Sequence, residues 1–299
     1  QQFTGSIFMG KLDGKVALVT GAGGGLGRTH ALLLAQEGAA VVVNDLGGTR
    51  DGTGQGSAMA DGVVEEIRAA GGQAAADYGS VSDEAAAKGM VQAAVEHFGQ
   101  LDICINNAGI LRDKSFKNMT NELWDLVIDV HLRGTYLVAK AAWDQMLAQG
   151  SGGRIINTSS TSGLIGNFGQ ANYAAAKAGI AGITRTLALE GVKYGITVNT
   201  LAPAAWSRMT EDIMPENTEE RFDPAKVSPV VVWLCTDDAK NVTGRQFCAG
   251  GNRVSLLSWQ VLEIAQGDPM GAPFTVEEIG ERMAATQDDW PRLLKPMEV

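Results

Sequence analysis

Cysteine is scarce in this sequence. Cys104, Cys235 and Cys248 are the only three in 299 residues, and their odd count and lack of CxxC spacing argue against a disulfide framework or a structural metal. The pattern fits a reducing compartment, and the cytoplasm is the expected location. Positive charge is in deficit, with 24 Lys and Arg against 34 Asp and Glu and a formal net charge of -10. A footprint on nucleic acid or on an anionic membrane needs clustered cations, so neither partner is expected. An anionic ligand has to be held locally, by backbone donors or a few side chains. Long apolar runs are missing too: none approaches the length that spans a bilayer, and the N-terminus lacks the basic and then apolar order of a signal peptide. Residues 1–8 carry no pattern and read as an expression remnant or a disordered tail.

What the sequence has in quantity is alternation. With 45% hydrophobic residues it can bury one substantial core. Short apolar runs alternate with longer Ala-rich segments of helical period, first at 16–20, 25–37 and 40–45. The pattern continues through 73–77, 83–98, 103–106, 121–149, 154–160, 171–194 and 197–201. Strands buried on both faces read as continuous apolar runs, so the prediction is an α/β fold: a doubly wound parallel sheet with helices on both faces, in one domain over residues 9–254. The Gly- and Thr-rich stretch 46–57 is long for a strand-to-helix connection and is expected to be a surface loop. In a C-terminal extension, 255–299, residues 275–290 read as an amphipathic helix that packs on the body or on a partner subunit.

Directly after the first strand, Thr20-Gly21-Ala22-Gly23-Gly24-Gly25-Leu26-Gly27 opens a helix. Glycines allow a tight turn and close approach of a pyrophosphate to backbone N–H groups at a helix N-terminus. Such a turn alone also describes a mobile loop; its place between strand and helix favours a nucleotide. The second strand ends at Asp45, where a dinucleotide fold of this Rossmann type sets a carboxylate against the adenosine ribose. An acid there repels a 2′-phosphate, so NAD is the expected cofactor. Arg28 and Arg50 lie close enough in sequence to counter that charge.

Tyr173 and Lys177, four apart at the start of a predicted helix, face the same way. An ammonium about 4 Å from a phenolate is worth roughly 4 kcal/mol at an effective dielectric near 20, about three pK units, which would draw a tyrosine towards neutrality. Burial opposes that shift, so the positive charge of an oxidised nicotinamide has to help. Ser160 stands at the end of the predicted strand 154–160, on the sheet edge where α/β folds bind ligands.

Together, TGxxxGxG at 20–27, Asn106-Asn107-Ala108-Gly109, Ser160 and YxxxK at Tyr173 resemble the short-chain dehydrogenase/reductase family over nearly all of residues 14–251. The resemblance implies that Gly21, Gly25, Leu26, Gly27, Asp45, Asn107 and Ala108 line the cofactor, that Ser80 and Val81 approach the adenine, and that Tyr173 and Lys177 hold the nicotinamide end. It also implies catalysis by Ser160, Tyr173 and Lys177. A narrower likeness, to the (3R)-hydroxyacyl-CoA dehydrogenases of the multifunctional-enzyme branch, is carried by VNDLGG at 43–48, LRDKSF at 111–116, VHLRG at 130–134, NFGQANY at 167–173 and SRMT at 207–210.

Three positions depart from the wider family. His131 stands where Asn is usual, and either holds a water in a proton relay or is a packed histidine. Pro203-Ala204-Ala205-Trp206 replaces a Pro-Gly turn, which puts Ala204 in the wall beside the nicotinamide. Gly79 stands where an adenine-binding Asp is frequent, unless Asp77 substitutes.

The resemblance makes a 3-hydroxyacyl-CoA the first expected substrate, with Lys114 and Lys117 either meeting CoA phosphates or forming a solvated loop. A free 17β-hydroxysteroid comes second and a 3-oxoacyl carrier-protein third. A catalytically silent NAD-binding scaffold is the reading of another class, and retention of Ser160, Tyr173 and Lys177 together weighs against it. Helices 121–149 and 171–194 are expected to pair in a homodimer or homotetramer.

Overall fold

The structure, a computed structural model, describes residues 10–207, 210, 217–291 and 294. The expected tail at 1–8, and Arg208 and Met209 of the SRMT motif, lie outside them. Eight strands build one sheet: β1 (Val16–Thr20), β2 (Ala40–Asn44), β3 (Ala74–Asp77), β4 (Ile103–Asn106), β5 (Gly153–Thr158), β6 (Ile196–Pro203), β7 (Gln246–Gly250) and β8 (Arg253–Leu257). Their order is β3-β2-β1-β4-β5-β6-β7-β8, parallel except for β8, which returns antiparallel on β7.

Both faces are covered, which is why the strands show no alternation. Ala17 and Val19 of β1 point into a cluster with α1 (Gly25–Gln36), α2 (Ala58–Ala69) and α8 (Ser228–Cys235). Val16 and Leu18 point the other way, against α3 (Glu84–Phe98), α5 (Gly134–Gln149) and the far end of α7 (Ala171–Gly191). Fully buried Leu18, Leu34, Ile67 and Met90 each contribute roughly 1.5–3 kcal/mol of apolar burial. Punctuation in the sequence sets the helix ends. In α3 the Asp83 carboxylate accepts from the Ala86 N–H at 2.7 Å, and Gly99 closes the helix at φ 85°.

Several elements differ from the sequence reading. The predicted strand 154–160 is β5, which ends at Thr158; Ser160 instead caps a short helix, α6 (Thr161–Leu164), where its Oγ accepts from the Ser162 N–H at 3.1 Å. The single helix expected over 121–149 is α4 (Asn121–Val127), a π-helical turn at Ile128–Arg133 and then α5. The π turn widens the backbone around His131. The sheet gains β7 and β8, and β8 runs to Leu257, past the expected end of the domain. The loop 46–57 is ordered by its own side chains: Asp51 Oδ1 accepts from Thr49 and Thr53, and the Gly56 N–H donates to the Leu46 carbonyl at 2.9 Å. In the extension, α9 (Val276–Thr286) carries a reciprocal capping box between Thr275 and Glu278. No helix of the described residues is long and apolar enough to cross a membrane.

Candidate active site

From β1 the chain moves outward to β2 and β3, and from β4 it moves the other way. The loops that follow these two strands therefore part, and a crevice opens at their C-terminal ends. The segments after β1 and β4 are bolted together there. Asn107 Nδ2 donates to the carbonyls of Thr20 and Gly21, 3.1 Å each, while Thr20 Oγ1 accepts from the N–H groups of Asn107 and Ala108 at 3.1 Å. Gly21 adopts φ 62°, and a Cβ on it would lie 2.8 Å from the Ala108 Cα. A Cβ on Gly27 would lie 2.2 Å from the Gly21 carbonyl oxygen, so that glycine underpins the turn without lining the crevice.

The crevice has a volume of about 310 Å³, and its walls include Gly21, Gly25, Leu26, Asp45, Val81 and Ala108. Ser80 and Asn107 also line it, and Ala204 stands just after β6 with its N–H on the Ala249 carbonyl. A backbone cradle free of side chains, opening onto the N-terminus of α1, suits a pyrophosphate. At the other end the Asp45 carboxylate is fixed by backbone donors: Oδ2 accepts from Gly23 at 2.8 Å and Oδ1 from Gly47 at 2.7 Å. Arg28 is committed elsewhere, in an ion pair with Glu66 on α2, while Arg50 lines the crevice. Asp77 braces Asn44, accepting from its Nδ2 at 2.7 Å and from the Gly79 N–H at 2.9 Å.

Beyond the crevice, α7 presents Tyr173 and Lys177 one turn apart. The Lys177 Nζ lies 5.5 Å from the Tyr173 ring centroid and donates to the Thr158 carbonyl at 2.7 Å. Helix α6 sits flush on α7, because a Cβ on Gly163 would lie 2.6 Å from the Lys177 Cβ. That contact brings Ser160 close enough to Tyr173 for its hydroxyl to favour the ionised phenol. Burial governs the protonation of the pair. It pushes Tyr173 up to about 12, against the pull of Ser160 and with a smaller push from Asp113, and it brings Lys177 down to about 7. Within the polypeptide alone the lysine therefore does not bring the phenol to neutrality, because burial opposes the shift, as expected from the sequence.

His131 is buried behind Tyr173, with the two rings edge to face at 5.2 Å. Its Nε2 lies 2.8 Å from the Ile110 carbonyl oxygen and 3.0 Å from the Ile110 N–H, while its Nδ1 has no protein partner. Burial, with the charge of Lys177 adding to it, lowers its pKa to about 3, so the ring is neutral across the physiological range. Two contributors escaped the sequence reading: Gly109, pressed against the His131 ring, and Gln170, buried three residues before Tyr173. Their signals lay inside motifs already quoted, but only folding shows what they touch. Lys114 and Lys117 are both exposed, and the Lys114 N–H donates to the Gly169 carbonyl at 2.9 Å.

A crevice suited to a dinucleotide, one of whose walls, Ile110, packs with the tyrosine of a serine, tyrosine and lysine set, defines an alcohol-oxidising or carbonyl-reducing oxidoreductase. The family profile described as short chain dehydrogenase matches residues 15–220, and the chain belongs to that family, whose fold binds a nicotinamide dinucleotide. It is 48% identical over 283 residues to peroxisomal multifunctional enzyme type 2 of Mus musculus, a match that covers 95% of this chain but 37% of the mouse enzyme. A hydroxyacyl-CoA dehydrogenase of Mycobacterium tuberculosis is 43% identical over 264 residues, covering 83% of this chain and 80% of that one. Among solved structures, a short chain dehydrogenase from Mycobacterium avium superposes with a TM-score of 0.83 at 41% identity, over 95% of this chain and 98% of that one.

Proposed function

We propose that the chain oxidises a (3R)-hydroxyacyl-CoA to the 3-oxoacyl-CoA with NAD as acceptor. One observation supports the cofactor choice: the Asp45 carboxylate, held in place by two backbone N–H groups, lines the crevice, and Arg28 is paired away from it. The substrate class is supported by the name of the mycobacterial relative. Bound NAD supplies a hydride acceptor and a positive charge beside the phenol. In oxidation the Tyr173 phenolate accepts the alcohol proton as the C–H hydride departs, and Ser160 donates a hydrogen bond to the same oxygen. Lys177, anchored by the Thr158 carbonyl, holds positive charge near the phenolate and would hold the nicotinamide ribose of bound NAD. In reduction Tyr173 returns the proton and Ser160 steadies the developing oxyanion, where one lost donor costs about 2.7–4 kcal/mol.

We propose further that the enzyme is a homodimer or homotetramer, joined through α4, α5 and α7. The exposure of Tyr136, Leu147, Leu189 and Val192 supports that surface. Three free, buried cysteines support a reducing compartment, with the cytoplasm as the proposed one.

The deciding assay is NADH formation with (3R)-hydroxybutyryl-CoA and with a free 17β-hydroxysteroid, each repeated with NADP. Turnover of the thioester with NAD, abolished by Tyr173→Phe, is the expected result. Steroid turnover with an inert thioester would refute the substrate class, and a preference for NADP would refute the role of Asp45.

A further inference from the structure

A polar chain runs from the cofactor loop to the catalytic hydroxyls by way of Gln170. The Leu111 N–H donates to the Arg50 carbonyl at 3.2 Å, and Arg112 Nε donates to the Asp51 carbonyl at 2.8 Å, so the segment after β4 is stitched to loop 46–57. The next residue, Asp113, accepts from Gln170 Nε2 at 2.7 Å, and it shares with Arg50 the wall of a cavity of about 520 Å³. The Gln170 Oε1 in turn accepts from Ser162 Oγ at 2.7 Å and from Asn167 Nδ2 at 3.0 Å. Finally the Ser162 N–H donates to Ser160 Oγ at 3.1 Å. Gln170 is buried, and Tyr173 follows it by three residues on the helix it opens.

The direction of each bond in this chain is fixed. An ionised carboxylate only accepts, so Asp113 turns the Gln170 amide with its NH₂ outward and its oxygen inward. The inward oxygen takes the hydroxyl proton of Ser162 and so holds that residue where its backbone N–H, always a donor, occupies a lone pair of Ser160 Oγ. The hydroxyl proton of Ser160 is left pointing away from α6, as a donor. We propose that Asp113 and Gln170 are positioning residues that hold Ser160 as a hydrogen-bond donor beside Tyr173. The proposal rests on the reading above in one respect, that Ser160 and Tyr173 are the reacting hydroxyls. The charged or titratable groups around the phenol are Lys177 on its own helix, His131 on the π turn and Asp113 on the segment after β4, with Arg50 beyond Asp113.

Two measurements test the proposal, and the first needs no substrate. Hydrogen exchange of the 162–165 amides, which cap on Ser160 and Thr161, is expected to quicken about 10-fold or more in Gln170→Leu, while the core strands keep their protection. In the second, Gln170→Leu and Asp113→Leu lower kcat for alcohol oxidation by about 10-fold or more, with NADH affinity changed less than about 2-fold. Asp113→Asn recovers part of that loss, because its amide oxygen still accepts. It also moves the acidic limb of the pH profile down by roughly half a unit, since a negative charge near the phenolate has gone. Unchanged exchange in Gln170→Leu overturns the proposal whatever the substrate proves to be. Altered exchange with an inert thioester refutes the substrate reading alone. An Asp113→Asn enzyme as impaired as Asp113→Leu, with its limb unmoved, overturns the part assigned to Asp113.

Discussion

Acidification should unfold this protein through two buried histidines, and His131→Asn isolates the one at the active site. His30 and His131 are both fully enclosed and both lowered to about 3 from an ordinary value of 6.5. The unfolded chain therefore binds protons that the folded chain refuses, and stability falls as the pH drops from 6.5 towards 3. At about pH 5 an unfolded histidine lies 1.5 units below its pKa, which is about 2 kcal/mol per ring at 1.36 kcal/mol per unit. Asparagine can serve both Ile110 groups, its oxygen accepting and its nitrogen donating, and it has nothing to titrate. Urea denaturation of the two proteins at about pH 7.5 and about pH 5 gives the comparison. The wild type is expected to lose roughly 2 kcal/mol more than His131→Asn, whatever the carboxylates common to both contribute. Parallel losses would mean that His131 takes up its proton in the folded state, and the ring would return as a candidate proton carrier.

Replacing Asp45 by Ser removes the charge that opposes a 2′-phosphate; at about 4 Å and an effective dielectric near 20, discounted for water in the crevice, the NAD to NADP ratio of kcat/KM should fall about 100-fold or more. An unchanged ratio would remove Asp45 from cofactor choice. Lys177→Met should abolish turnover, yet its effect on stability should be more favourable near pH 6 than near pH 9. The folded lysine titrates at about 7 against 10.5 in the open chain, so the cost of burying its charge is complete below 7 and fades as the pH climbs to 10.5. Gly27→Ala drives a methyl group into the Gly21 carbonyl, and should cost about 1–3 kcal/mol of stability together with most NADH binding, read by fluorescence titration.

What the sequence could reveal followed the range of the forces involved. The first strand, the glycine turn and the Tyr173–Lys177 pair are local patterns, in which period and spacing alone bring the groups together. Asp45 was legible for the same reason, at the end of an apolar run. The β7 and β8 strands were not, because β7, five residues that end in glycine, acquires its identity only by pairing with β6 across the intervening α8, and β8 only by pairing with β7. The π turn is equally silent, since a bulged helix keeps a helical composition. His131 shows the limit most clearly. Its Nε2 is spent on a residue 21 positions away, so its partner, its burial and hence its charge were invisible until the chain was folded.

The glycine that ends Asn-Asn-Ala-Gly acquires a meaning of its own from that histidine. A Cβ on Gly109 would lie 2.3 Å from the His131 Cε1 and 3.0 Å from its Nδ1. The two positions are therefore a lock and its ward: a methyl group at 109 has room only if the ring at 131 retreats, and the ring fits only while 109 stays bare. Mutational drift at either site has to pass through the other, so a designer who trades the histidine for a smaller residue inherits space at 109 to fill, and one who alters 109 first displaces the wall behind Tyr173.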